Sequence, residues 1–236
     1  MFLPTTLEQD YEYNFNHEFE ELFLKTEENA RINALHFKAE KPKGVLLYFH
    51  GNAGDLSRWG VIAEDFVDLG YDVLIMDYRH YGKSVGELNE NAFYLDAQFC
   101  YDYLLEHYNE TDITVYGRSL GTGIATFVAS KNSPKQLILE TPYYSILDVA
   151  AHRFPIFPVK YLMKYHFPSN EFIQDVKCPI TIFHGTDDGV VPFSSAEKLA
   201  EVAPKGQTEF VVVEGCGHNN LCDFDAYNQK IADLLN

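Results

Sequence analysis

The chain has 236 residues, 46% hydrophobic and 22% charged, which suffices for one well-filled core and is too ordinary a mixture for a disordered chain. Asp and Glu outnumber Lys and Arg by 35 to 18, giving a formal charge of −17, and such a surface repels phosphate backbones and anionic headgroups, so nucleic acid is excluded as an expected partner. Cys100, Cys178, Cys216 and Cys222 form no CxxC pair and lack the company of a zinc site, so free thiols in a reducing compartment and no metal are expected.

The opening residues, MFLPTTLEQDYEYNF, have neither the basic start nor the apolar core of a signal peptide. No run approaches the ~18 apolar residues of a membrane span, so a soluble, cytoplasmic chain is the expectation. EELFLKT and ARINALHFKAE alternate as half-buried strands do, and EEN between them predicts an antiparallel hairpin. GVLLYFH (44–50) is apolar throughout, as a strand covered on both faces would be. Trp59, Ile62, Ala63, Phe66 and Leu69 then recur at helical spacing, with Gly70 placed to stop the helix.

YDVLIMDY (71–78) predicts another buried strand, followed by a helix with Phe93, Ala97, Cys100 and Leu104 on one face. ITVYGRS (113–119), QLILET (136–141), PITIFHG (179–185) and EFVVVEG (209–215) complete the strands, with helices near 120–131, 194–203 and 220–235. Alternation of this kind predicts one α/β domain over 1–236. Its sheet should have about eight strands, mostly parallel, with helices on both faces and chemistry at the carboxyl ends. The interval 142–177, rich in proline and aromatics, is too long for a plain crossover and predicts a short helical lid over the strand ends.

Gly117-Arg118-Ser119-Leu120-Gly121 sits between a strand and a helix and has the form of a nucleophile elbow. A sharp strand-to-helix turn lifts a serine hydroxyl clear of the sheet, and side chains two residues away would crowd that turn. A serine hydroxyl needs a general base. Of nine histidines, only His218, on the glycine-flanked loop EGCGHNN, lies downstream of every acid candidate. His50 and His184 come too early for that role and read as packing residues whose ring nitrogens bond to backbone. The acid falls in HGTDDGVVP, where spacing leaves Asp187 and Asp188 both open.

YFHGNAGD, DYRHYGKS, YGRSLGTG, HGTDDGVVP and GCGHNN together resemble five landmarks of the α/β-hydrolase superfamily, over nearly the whole chain. Its single-domain serine hydrolases of the depalmitoylating and monoacylglycerol-lipase-like group look most similar. The resemblance puts the triad acid at Asp188 and makes HGNAG an oxyanion loop, with backbone N–H groups of Asn52 and Leu120 as donors worth about 3 kcal/mol each. His80 departs from the pattern, since relatives commonly carry glycine there. It reads as a surface substitution, with the pocket mouth as the other option. Relatives also often carry an N-terminal membrane anchor. Either this member is soluble, or an anchor has been trimmed away.

These residues predict a serine hydrolase acting on a small-molecule ester or thioester through an acyl-enzyme on Ser119, with His218 as base, Asp188 as its orienting acid and no cofactor. Phe154, Phe157, Leu162 and Met163 are the candidate substrate-binding residues, because the predicted lid is apolar. One rival is a prolyl-aminopeptidase-like enzyme with the same triad, in which Asp148 or Glu171 would hold the substrate amine. The other is a non-catalytic ligand binder that kept the fold.

Overall fold

VLLYF offers no polar side to water, and in the computed structural model, which describes residues 2–236, it becomes a strand buried on both faces. Period-two geometry then divides its side chains. Val45, Leu47 and Phe49 enter one core and Leu46 and Tyr48 the other. The sheet is thus the wall between two hydrophobic layers.

In chain order the strands are β1 (Leu3–Pro4), β2 (Phe19–Glu27), β3 (Ala30–Phe37), β4 (Val45–Phe49), β5 (Ala53–Gly54), β6 (Asp72–Met76), β7 (Ile113–Arg118), β8 (Gln136–Glu140), β9 (Ile180–Gly185) and β10 (Thr208–Val213). Eight form one sheet, ordered β10-β9-β8-β7-β4-β6-β3-β2. Every neighbouring pair from β10 to β6 is parallel, whereas β3 runs antiparallel to both β6 and β2. The opening hairpin and the mainly parallel eight-stranded sheet match the expectation. β1 and β5 form a separate two-stranded ladder that ties the chain start to the loop after β4.

Helices α1 (Leu56–Asp68), α2 (Glu90–Leu105) and α3 (Leu120–Lys131) come first, followed by α4 (Ile146–Arg153), α5 (Val159–Leu162) and α6 (Ser169–Phe172), then α7 (Phe193–Val202) and α8 (Asp225–Leu234). Trp59, Phe66, Tyr227 and Ile231 place α1 and α8 on one face, while Phe93, Cys100, Ile124, Val128 and Leu199 place α2, α3 and α7 on the other. Asp55 caps α1 by accepting from Ser57 N, Asn89 caps α2 by accepting from Ala92 N, and Gly70 (φ 86°) turns the chain out of α1. The strand expected over 71–78 ends at Met76, because Asp77 turns away to accept the N–H of Leu56 at the start of α1. No described helix is long and apolar enough to cross a membrane. All four cysteines are free thiols.

One buried group carries a pH liability. His36 on β3 is fully buried, with Nε2 3.0 Å from both Tyr108 Oη and Lys38 Nζ. Burial, reinforced by the Lys38 charge and opposed by Asp72, lowers its pKa to about 4. An unfolded histidine titrates near 6.5. The unfolded chain therefore takes up the proton first as pH falls, and stability drops by up to about 3 kcal/mol between pH 6.5 and 4. Above pH 7 the effect is absent. In urea titrations across that range, His36→Gln should show a shallower loss of stability with acid than the parent. Parallel slopes would count against it.

Candidate active site

β7 passes into α3 through Ser119, whose φ of 50° and ψ of −115° lie where side chains are seldom tolerated. The glycines on either side have a steric cause. A Cβ on Gly121 would lie 2.0 Å from the carbonyl oxygen of Phe49, and one on Gly117 2.6 Å from that of Gly121. The first turns of α3 can sit this close to β7 and to the end of β4 only without side chains at these positions. Ser119 is held from behind, its N–H donating to Glu140 O (2.9 Å) and its carbonyl accepting from Thr122 N (3.0 Å) and Oγ1 (2.6 Å).

Two loops deliver the remaining groups. His218 Nε2 lies 2.9 Å from Ser119 Oγ, and Nδ1 lies 2.7 Å from Asp188 Oδ2. Asp188 divides its oxygens: Oδ1 accepts the N–H groups of Val190 (2.8 Å) and Val191 (2.9 Å), which leaves Oδ2 for the imidazole. Burial pushes its carboxyl up, but the His218 hydrogen bond and charge, with those two N–H groups, outweigh burial and hold it below the usual carboxylate range. Asp187 instead points to solvent, its Oδ1 accepting from Thr186 Oγ1 at 3.3 Å. The backbone of Asp187 joins the two loops through its N–H to Cys216 O (2.9 Å).

Asn52 and Leu120 border the same cavity as Ser119, a hollow of about 160 Å³. Leu120 opens α3, where backbone N–H groups have no partner within the helix. Asn52 O accepts from Tyr81 Oη (2.8 Å) and Leu3 N (3.4 Å), so the HGNAG loop is pinned from two sides. The rest of the wall is Phe2, Tyr143, Ile146, Val149, Val190 and Val191.

The four expected substrate contacts lie elsewhere. Phe154, Phe157 and Leu162 are exposed, Met163 is half-buried, and none of them lines this cavity. The cause is local. Ser145 caps α4 by accepting from Asp148 N, so it is the first turns of α4, with Ile146 and Val149 three residues apart, that overhang Ser119. That i,i+3 pair behind a capping serine was readable in SILDVAA. Phe2 left no comparable signal, because its place depends on the ladder between β1 and β5.

His50 and His184 do bond to backbone as expected, through Nδ1 to Gly51 O (2.7 Å) and Nε2 to Val191 O (3.1 Å). Each also faces a carboxylate: His50 Nε2 is 3.3 Å from Asp77 Oδ1, and His184 Nε2 is 3.3 Å from Asp188 Oδ2. Burial lowers the His184 pKa despite the pull of Asp188, which favours the neutral ring. His80 is exposed, outside the cavity, with a φ of 74° and Nε2 3.0 Å from Gly86 O. Its backbone lies in the left-handed region that favours glycine. Arg118 was not singled out from the sequence. It pairs with Glu140 (3.1 Å) under the elbow and donates from Nη2 to Asn219 O (3.3 Å), next to His218. No described group of His, Cys, Asp and Glu could hold a metal ion.

Residues 44–146 match the family model for the alpha/beta hydrolase fold. Protein bem46 of Schizosaccharomyces pombe is 33% identical over 232 residues, covering 94% of this chain and 78% of its own. Lysophosphatidylserine lipase ABHD12 of Danio rerio is 30% identical over 251 residues, covering 88% of this chain but 64% of that protein, so this chain spans less than two thirds of it. Among solved structures, the Pyrococcus furiosus esterase Pf2001 superposes with a TM-score of 0.76 at 18% identity, covering 100% of this chain and 98% of that one, a likeness of fold.

Gly121→Ala should be intolerable at the elbow, since the added carbon meets backbone that no rotamer can move. The expected cost is about 3 kcal/mol, read as a lower urea midpoint. A midpoint equal to the parent's would show that α3 can retreat from β4.

Proposed function

The chain belongs to the α/β-hydrolase family, and we propose that it is a serine hydrolase cleaving carboxylic esters or thioesters of small hydrophobic molecules. One observation carries the reading: an unbroken line of contacts, Ser119 Oγ to His218 Nε2 (2.9 Å) and His218 Nδ1 to Asp188 Oδ2 (2.7 Å), beside an apolar cavity. The lipase and esterase among its relatives favour esters over other carbonyl substrates.

In this reading His218 Nε2 takes the Ser119 proton as Oγ bonds to the ester carbonyl carbon. Asp188, ionised because its carboxyl is held low, keeps the proton of Nδ1 directed at itself and stabilises the imidazolium. The oxygen that gains charge is met by the N–H groups of Asn52 and Leu120. Collapse expels the alcohol or thiol, which leaves with the proton from Nε2, and an acyl group stays on Ser119. Water attacks next, giving its proton to His218, which returns it to Ser119 as the acid departs. Every proton has its donor and acceptor among Ser119, His218, water and substrate. The segment 142–177 acts as the lid of a single domain, with α4 as the part that shapes the cavity.

The peptidase alternative needs a carboxylate facing the cavity to hold an amine. Asp148 is engaged on both oxygens, by Ser195 Oγ (2.6 Å) and Lys198 Nζ (2.7 Å), and Glu171 is exposed on α6. Neither borders the cavity. Aryl esters should therefore be cleaved faster than proline arylamides, and the reverse order would favour the peptidase.

Ser119→Ala should lower p-nitrophenyl butyrate turnover on the order of 10⁶-fold and abolish labelling by a fluorophosphonate probe, with the melting temperature unchanged. Labelling of the variant would refute Ser119 as the acylated residue, and failure of folded parent protein to label would favour a binding protein. Because Phe2 closes one side of a small cavity, the parent should prefer short acyl chains. Phe2→Ala should raise the octanoate-to-butyrate ratio of kcat/KM about tenfold. An unchanged ratio would remove Phe2 from the acyl site.

A further inference from the structure

The chain is acidic overall, yet residues 149–170 contain no Asp or Glu. The same interval holds Arg153, Lys160 and Lys164, with His152 and His166. It is also apolar where apolar residues are not sheltered. Ile156 is 92% exposed, Tyr161 86% and Leu162 67%, and Phe154 and Phe157 are exposed beside them. No residue from 144 to 166 is buried.

This is not a frayed loop. Its base is closed where Ile146 N donates to His166 O (3.0 Å), and Glu90 fixes the return by accepting the N–H groups of His166 (2.6 Å) and Phe167 (3.0 Å). Phe167, just past the base, is fully buried. The excursion is thus anchored at both ends and projects an unsheltered apolar tip that also carries the exposed Arg153, Lys160 and Lys164. Its first helix carries Ile146 and Val149, which wall the cavity at Ser119. Exposed Leu3 and Val190 adjoin Phe2 and Val191 of the same wall.

We propose that the tip formed by residues 153–164 docks the protein on an anionic phospholipid surface, with the cavity mouth turned towards that surface. Aromatic and aliphatic side chains enter the headgroup boundary while the lysine stems extend their charges to lipid phosphates and carboxylates. Charge complementarity selects this occupant. A patch with three Lys and Arg and no carboxylate, on a chain of formal charge −17, approaches an anionic surface by this face and is repelled by the others. The apolar tip offers no geometry of directed hydrogen bonds, as suits a fluid lipid boundary. The docking itself stands on the patch alone. Its consequence, entry of a small hydrophobic ester from the surface, rests on the proposed hydrolase reading.

Co-sedimentation with vesicles tests it, using full-length protein carrying Ser119→Ala so that the lipids stay intact. Phosphatidylcholine vesicles containing about 30% phosphatidylserine should bind at least about tenfold more tightly than phosphatidylcholine alone, and the difference should shrink when salt rises from about 0.05 to about 0.5 M. Lys160→Glu with Lys164→Glu should remove the preference for the anionic vesicles. Ile156→Ser with Tyr161→Ser should weaken binding to them about tenfold. With Ser119 restored, both pairs should keep the parent's turnover of water-soluble p-nitrophenyl butyrate, which reports on the hydrolase reading separately. Absence of binding to either vesicle, or equal binding by parent and variants, would overturn the proposal. So would a dimer in analytical ultracentrifugation that Ile156→Ser with Tyr161→Ser dissolves while vesicles are ignored, which would give the patch to a second copy of the chain.

Discussion

The carbonyl oxygen of Phe49 occupies the space that a side chain on residue 121 would need. That close approach of α3 to the end of β4 organises what surrounds it. It forces the strand-to-helix turn into the strained geometry of Ser119, and it brings the loop that continues from Phe49 alongside the same residue. The proposed nucleophile and the proposed oxyanion loop are therefore set by one contact. A strained φ of 50° costs on the order of 1–3 kcal/mol. The surroundings hold it in place, through Glu140 O on one side and the first turn of α3 on the other.

A second close approach does the same for the proposed acid and base. Gly185 ends β9 with the carbonyl of Cys216 where its own Cβ would stand, at 2.1 Å. The loop after β9 and the loop after β10 can therefore touch, and Asp187 N bonding to Cys216 O fastens them. Once touching, they present Asp188 and His218 to each other and leave His218 facing Ser119. Arg118 adds a strut from beneath, since its pairing with Glu140 and its bond to Asn219 O link the elbow to the histidine loop. Four segments far apart in the chain thus meet above one sheet edge.

The strands were legible because VLLYF and ITIF carry their burial openly, and the elbow because glycine spacing answers a steric demand. Between Asp187 and Asp188 the spacing was mute. What separates them is the pair of N–H groups from Val190 and Val191 that seize Oδ1 of Asp188, and these exist only once the loop has folded. The cavity wall was harder still. Apolar residues in the expected lid, 142–177, pointed to Phe154 and Phe157, but composition does not say which end of a segment folds inward. The cap at Ser145 and the closure at Glu90 decide that, and the latter joins residues 76 and 77 positions apart. Phe2 depended on a ladder to residues 53 and 54 that no local pattern announces.

The contact between His184 and Asp188 bears on how the proposed chemistry is balanced. Asp188 Oδ2 has two imidazoles in reach, His218 at 2.7 Å and His184 at 3.3 Å. Were both to carry charge, they would repel each other and divide the carboxylate between them. Burial keeps His184 neutral, so it serves through its bond to Val191 O, which fixes the backbone supporting Asp188 Oδ1. The full charge of Asp188 is then left for the imidazolium that the proposed reaction forms on His218. A polar core residue thereby makes one carboxylate specific to one partner, and the desolvation that disfavours charge on His184 is what enforces the division.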